Sequence, residues 1–192
     1  MNALVARAAE HLPRRSFTVD DLDRMVEAGV IAHDDRIELI GGDLIPMAAK
    51  GNHHEVMKSA INRYLGRHLP DGYGFTQEAG WRIDQFNYVE PDFVLYPDEK
   101  LISKIRPADA LLVIEVANTS LGYDRGFKSL FYADLGISEY WVVDAVKRET
   151  HVHRNRTPEG WSSVRIGPAD EALQPLNIPG VSLRLSSLRL DD

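Results

Sequence analysis

Two short apolar segments of this chain each carry an acidic residue in their interior. Residues 89–95 contain Asp92, and residues 111–117 contain Glu115. Both segments have the composition of strands, and the second is a continuous apolar run of the kind that is buried on both faces of a sheet. An ionised carboxylate in such a place is costly unless a cation or hydrogen-bond donors accompany it. The fold must therefore supply partners for both acids.

The whole chain has the size and composition of one globular domain. It has 192 residues, no cysteine and a formal net charge of −7. We expect a leader over residues 1–15 and a single domain over 16–192. There is no apolar run of the ~20 residues that cross a bilayer and no signal-peptide pattern, so we predict a cytoplasmic protein without disulfides. The negative charge counts against avid, sequence-independent DNA binding.

The first third of the chain predicts a helix and a hairpin. Thr18 can cap a helix over residues 19–28, which Gly29 ends. Residues 36–47 read as two strands around a tight glycine turn.

A longer helix and three strands are predicted next. Asn52 and Glu55 have the spacing of a capping box, and apolar residues then recur at helical spacing as far as Leu69. Strand-like segments follow at 73–76, 81–84 and 89–96.

Residues 111–144 read as a strand, a helix and a second strand, which favours a parallel pair with a right-handed crossover. The helix, over 123–135, should turn four apolar residues inward: Phe127, Leu130, Phe131 and Ala133. Three further strands should complete the sheet, at 150–154, 161–166 and 181–185. The predicted fold class is α/β, with a mixed β-sheet flanked by few helices.

A cation held between the two acidic strands would offset the cost of burying their carboxylates. If the strands are neighbours, Asp92 and Glu115 can converge on one ion, with the Val116 backbone carbonyl as a third oxygen ligand. Hard oxygen ligands suit Mg²⁺ or Mn²⁺. Lys128 and Tyr132 share one face of the following helix at i, i+4 spacing, near the end of the Glu115 strand.

These segments together resemble the Uma-type family of restriction endonucleases, which is similar to the PD-(D/E)XK nuclease superfamily. The resemblance covers residues 36–185 and includes the hairpin and His54. It rests on these motifs in order: Pro91-Asp92, Glu115-Val116-Ala117-Asn118-Thr119-Ser120, Asp124-Arg125, Lys128, Tyr132-Ala133, Gly136-Ile137, Glu139-Tyr140-Trp141 and Asp144.

The resemblance implies a restriction endonuclease-like fold and a Mg²⁺-dependent endonuclease that acts on DNA. We also expect a homodimer, joined through the sheet edge or the N-terminal helix, because many endonucleases cut two strands by pairing two active sites. Asp92 and Glu115 would hold the metal, Mn²⁺ being an alternative. The superfamily's usual lysine position is Ala117 here, so the resemblance implies that Lys128 supplies the amine. The superfamily places a further acid on the first core helix, which helps through a water molecule; Glu55, or less readily Glu38, would take that role.

Simpler interpretations stand beside these. Glu115 could form a buried salt bridge with Arg125, Lys128 or Arg82, and Asp124 with Lys128 could be a surface helical pair. The capping box alone would explain Glu55.

The histidines and the overall function also have alternatives. His53 and His54 lie in a first helical turn, where a metal role is conceivable, whereas His151 and His153 form either a zinc pair or part of an exposed strand. The rival function is a non-catalytic nucleic-acid-binding or protein-interaction module on the same fold, which Ala117 and the acidic charge favour.

Overall fold

The computed structural model describes residues 15–190, which form two compact units. The first unit comprises residues up to 47 together with 82–89, and the second comprises 48–81 and 90–190. The predicted leader lies outside the described residues except for Arg15, and the single-domain boundary stays a prediction. Within the described part of the chain, no helix has the length and apolar character needed to cross a membrane.

The described residues of the first unit form a helix and a small sheet. Helix α1 spans Val19–Glu27, and Thr18 and Asp21 form a reciprocal capping box at its start. Its four strands are β1 (Ile37–Ile40), β2 (Asp43–Pro46), β4 (Trp81–Asp84) and β5 (Asn87–Val89). They are paired in the order β2-β1-β5-β4. The predicted capped helix and hairpin are both confirmed.

The second unit is built on a six-stranded mixed sheet. Its strands are β3 (Tyr73–Gln77), β6 (Phe93–Pro97), β7 (Leu112–Ala117), β8 (Glu139–Asp144), β9 (Glu149–Thr157) and β10 (Gly160–Gly167). They are ordered β10-β9-β8-β7-β6-β3; β7 and β8 are parallel, and the other neighbouring pairs are antiparallel. The predicted α/β class and the parallel pair are confirmed.

Two helical segments accompany this sheet. Helix α2 (Asn52–His68) buries Met57, Ile61 and Leu65 in one core with apolar residues of β6, β7 and β8. Between β7 and β8 lies a continuous helical segment, here called the composite helix, made of α3 (Leu121–Tyr123), a π turn (Asp124–Lys128) and α4 (Ser129–Asp134). Short 3₁₀ turns span Ile102–Lys104, Pro107–Asp109 and Leu185–Ser187.

Two strand predictions are wrong. Residues 89–96 form two strands in different sheets, because the chain leaves the ladder at Glu90-Pro91-Asp92 and Pro91 has no N–H to donate to it. Residues 181–185 do not form a sheet strand, since their pairing is a single bridge between Leu183 and Leu173.

The inward face of the composite helix also differs from the prediction. Of the four residues predicted to face inward, Phe127 and Leu130 are 50% and 54% exposed, whereas Ala133 is buried as predicted. The other buried residues are Asp124, Lys128, Ser129 and Tyr132. A π turn closes its hydrogen bonds one residue later than an α turn and so accommodates an extra residue. The face that a regular 3.6-residue period assigns to the core is thereby shifted, and polar side chains take the inward positions.

Candidate active site

Asp92 and Glu115 meet at the end of the β6–β7 ladder. The last antiparallel pair there is Phe93 with Ile114, so the register continued by one residue sets Asp92 opposite Glu115. At this point side chains replace the backbone ladder: the Asp92 N–H donates to Glu115 Oε2 at 3.3 Å, and the Val116 N–H donates to Asp92 Oδ2 at 2.8 Å. The interrupted ladder thus brings the two acidic residues into direct contact.

Asp92 is buried but surrounded by groups that favour its charged form. His54 Nε2 lies 3.1 Å from Asp92 Oδ2, and Lys50 Nζ lies 3.8 Å from Oδ1. Burial by itself raises the pKa of the Asp92 carboxyl, but His54, the Val116 N–H and Lys50 together outweigh it and lower that pKa below its usual value. Asp92 is therefore an anion at neutral pH.

Glu115 accepts hydrogen bonds from two side chains of the composite helix. Lys128 Nζ lies 2.9 Å and Tyr132 Oη 3.0 Å from Glu115 Oε1. Glu115 and Lys128 are each only 4% exposed, so this ion pair is screened little by water. Of the three salt-bridge partners considered for Glu115, the structure gives it Lys128, while Arg82 pairs with Asp23 in the first unit.

The π turn sets the direction of the Lys128 side chain and its amine. Lys128 ends that turn and Tyr132 follows four residues later in α4, and both donate to the same carboxylate oxygen. The alternative of a surface pair between Asp124 and Lys128 is wrong, because both residues are buried. Tyr140 fixes the start of the turn by donating its hydroxyl to the Asp124 backbone carbonyl at 3.1 Å.

The oxygen atoms at this point fit a small hard cation. Asp92 and Glu115 are both buried, and the Asp92 N–H links them by donating to the Glu115 carboxylate. Regular strand geometry turns the Val116 carbonyl to the same side as its N–H, which donates to Asp92. Between residues 15 and 190 no group of three or more His, Asp or Glu side chains is arranged to hold a metal. Mg²⁺ is commonly bound by one or two carboxylates, with water and phosphate oxygens completing its shell, so this donor set suffices for it.

Glu55 occupies the edge of this site. Its side chain is 48% exposed and contacts His54 Nδ1 at 3.2 Å and Lys58 Nζ at 2.8 Å. These partners outweigh the effect of burial, which raises its pKa, and lower the pKa of Glu55. The predicted capping box with Asn52 is wrong, since Asn52 is already helical and the N-cap is Gly51, which makes no side-chain cap.

Glu38, the less favoured candidate, is buried on β1 in the first unit. The catalytic and metal-binding roles of Asp92, Glu115, Val116, Lys128 and Glu55 stay predictions.

Three charged residues around Asp92 were not anticipated from the sequence: Lys50, Lys58 and Glu78. Lys58 pairs with both Glu55 and Glu78, and Lys50 pairs with Glu78 and approaches Asp92. The i, i+3 spacing of Glu55 and Lys58 could have suggested one of these contacts. Glu78 lies just after β3, and nothing local in the sequence relates it to either lysine.

The histidine pair on β9 lies in the interior. His151 and His153 are both buried, so the exposed-strand interpretation is wrong. His153 packs between the rings of Tyr140 and Trp161, at centroid distances of 5.4 and 6.0 Å. Neither histidine joins a cluster of potential metal ligands among the described residues, so a zinc pair gains no support.

These two histidines should make stability depend on pH. Burial lowers the pKa of both His151 and His153, with Arg125 adding to the effect. Below the ordinary histidine pKa of about 6.5, the unfolded chain therefore binds more protons than the folded protein does. The free energy of unfolding should fall as the pH drops through that value. Urea unfolding of wild type, His151→Leu and His153→Leu between pH 5 and 8 measures this. If the free energy of unfolding depends on pH as steeply in both variants as in wild type, the prediction is wrong.

Comparisons with known proteins were consistent with this architecture. The family model described as "Uma2: Putative restriction endonuclease" matches residues 19–186. No curated protein matches the chain.

The solved structures that match this chain include the following two. The crystal structure of a putative nuclease belonging to DUF820 from Anabaena variabilis ATCC 29413 has a TM-score of 0.63 and 14% identity, over 88% of this chain and 96% of that chain. The type IIG restriction endonuclease BpuSI has a TM-score of 0.38 and 14% identity, over 58% of this chain and 13% of that chain. The first likeness confirms the predicted fold.

Proposed function

The chain belongs to the Uma2 family, and from this premise we propose that it is a metal-dependent endonuclease that hydrolyses phosphodiester bonds in DNA. The observation that carries the proposal is the direct contact of two buried acidic residues, Asp92 and Glu115, through the Asp92 N–H, together with the buried ammonium group of Lys128 that donates to Glu115. Buried ionisable groups that converge in this way, one of them (Asp92) with a lowered pKa, are typical of catalytic sites.

In this proposal Asp92 and Glu115, with the Val116 carbonyl, would hold Mg²⁺, and Mn²⁺ could replace it. The bound ion would supply Lewis-acid activation of a phosphate oxygen and a water molecule of lowered pKa. Asp92 keeps its negative charge because the groups around it lower its pKa.

Lys128 would place a positive charge beside the reacting phosphate. Its ammonium group is fixed by Glu115, and Tyr132 holds the same carboxylate oxygen from the next helical turn. A positive charge that is already oriented stabilises the extra negative charge of the transition state without reorganisation. Lys128 therefore takes the role that a lysine at the position of Ala117 would have.

Plasmid cleavage tests the proposal. Wild type should nick or linearise supercoiled DNA when Mg²⁺ or Mn²⁺ is added and should stop when the metal is chelated, whereas Asp92→Ala should not cleave. Equal cleavage by the two proteins would identify a contaminating nuclease. No cleavage by wild type with either metal would reject the proposal.

The second candidate is a non-catalytic nucleic-acid-binding or protein-interaction module. Two observations favour it: Ala117 replaces the usual lysine, and the net charge is −7. Calorimetric titration with Mg²⁺ or Mn²⁺ separates the candidates, since only the nuclease needs the ion. The homodimer also stays a prediction; β10 lies at a sheet edge and exposes Val164 and Ile166 there, which supports it.

A further inference from the structure

Six side chains, one of them that of Asp92, form a closed circuit in which acids and bases alternate, here called the charge ring. In order around the circuit, they are Asp92, His54, Glu55, Lys58, Glu78 and Lys50.

His54 connects the reaction centre with the rest of the charge ring. Its side chain is buried on the first turn of α2, with Nε2 3.1 Å from Asp92 Oδ2 and Nδ1 3.2 Å from Glu55 Oε1. Each ring nitrogen thus faces a carboxylate, which accepts hydrogen bonds; a neutral imidazole donates from one of its nitrogens, and an imidazole protonated on both nitrogens donates to both carboxylates. Rotating the imidazole would lose both contacts, and its orientation is therefore fixed from two sides.

The contacts on Asp92 are divided unequally between its two oxygens. Oδ2 contacts both His54 Nε2 and the Val116 N–H, whereas the cation at Oδ1 is Lys50, at 3.8 Å. The short contacts thus fix the carboxylate plane through one oxygen. Oδ1 is then the oxygen better placed to meet an incoming cation.

The far side of the charge ring is anchored in the protein interior. Lys58 is 4% exposed and lies 2.8 Å from Glu55 and 2.9 Å from Glu78. A buried ammonium group needs such anions, because an uncompensated charge there is strongly destabilising. Glu78 has a left-handed backbone, with φ of 51°, and its N–H donates to the Asp92 carbonyl at 3.2 Å. Glu55 is thus held by Lys58 in the position that orients His54.

We propose that His54 is the positioning residue of Asp92 and that Glu55 acts on the reaction only through His54. This inference rests on the proposed nuclease function, and it assigns Glu55 a role different from that of a carboxylate working through a water molecule at the metal. Partners of this kind, one shell out from a metal ligand, typically contribute about 10–100-fold to metal affinity or activity.

A double-mutant cycle on the full-length protein tests the proposal. Plasmid cleavage over a range of Mg²⁺ concentrations, and Mn²⁺ affinity by calorimetry without DNA, are measured for wild type, His54→Ala, Glu55→Ala and the double variant; His54→Ala should weaken Mn²⁺ binding, and unchanged affinity together with unchanged cleavage would contradict the proposal. His54→Ala should lower kcat by about 10–100-fold and raise the Mg²⁺ concentration at half-maximal rate. KM for DNA at saturating Mg²⁺ should change less than about twofold, because His54 contacts the carboxylate rather than the substrate.

The remaining variants separate positioning from direct action. Glu55→Ala should cause a smaller loss, and the double variant should be no slower than His54→Ala, because residues acting in series are not additive. His54→Gln should recover part of the rate, since its amide can still donate towards Asp92. His53→Ala is the matched control, an exposed histidine one residue earlier in the same turn, and should equal wild type.

Several results would overturn the proposal. An active wild type with an equally active His54→Ala would reject it and leave the nuclease function standing. Losses that multiply in the double variant would show that Glu55 acts independently, and His54→Gln as slow as His54→Ala would reject positioning by hydrogen bonding. An inactive wild type would reject the proposed function and this inference together. If His54→Ala does not fold by circular dichroism, the same cycle is run with His54→Gln.

Discussion

Replacing Glu115 with glutamine is expected to reduce Mg²⁺-dependent cleavage by at least about 10²–10³-fold. The amide has nearly the same shape, but it no longer offers a negative charge to the cation or to Lys128. Mn²⁺ binding measured by calorimetry should weaken in parallel. The melting temperature should also fall, since removing one partner of a buried ion pair costs up to about 3–5 kcal/mol.

Glu99→Gln is the matched control for this variant. Glu99 is exposed, so the same chemical change there should leave cleavage and melting temperature as in wild type. If Glu115→Gln cleaves at the wild-type rate, Glu115 takes no part in the reaction and the proposed metal site is wrong.

Replacing Lys128 with methionine should lower the cleavage rate by about 10²–10³-fold. Methionine keeps most of the length of the side chain, so the loss would report the missing ammonium group rather than a cavity. The measurement is the initial rate of cleavage at saturating Mg²⁺. Lys104→Met is the control, because Lys104 is an exposed lysine. If Lys128→Met cleaves at the wild-type rate, another group stabilises the negative charge on the reacting phosphate.

Stability should separate the two roles of this ion pair. Either single replacement leaves one charge of a buried pair behind, whereas Glu115→Gln combined with Lys128→Met removes both. Replacing a whole buried pair is often nearly neutral, so the double variant should melt above either single variant while it remains inactive. If the melting temperature of the double variant falls by the sum of the decreases in the two single variants, Glu115 and Lys128 are not directly coupled.

Much of this architecture could be predicted from local sequence patterns. The apolar spacing after Asn52 predicted α2, and the order of strand, helix and strand over residues 111–144 predicted the parallel pair of β7 and β8. The mid-strand carboxylate of Glu115 pointed to a buried partner, and Lys128 is one. These features depend on residues that are close in sequence or on a simple rule of connection.

The features that were missed depend on longer-range contacts or on departures from a regular period. The charge ring joins Glu78 to Lys50 and Lys58, which come from separate segments of the chain. The capping box at Asn52 failed because the cap position belongs to Gly51, where a Cβ atom would meet the side-chain amide of Asn118. A three-residue spacing cannot report such a tertiary contact.

The π turn makes this site sensitive to chain length as well as to side chains. One residue of an α-helix corresponds to a rotation of about 100°. Deleting a single residue between Asp124 and Lys128 would therefore swing the ammonium group away from Glu115 while every acid and base of the site remained in the sequence. In such a protein, chemistry could be lost or regained through insertions and deletions alone, and a tally of functional side chains would not detect the change.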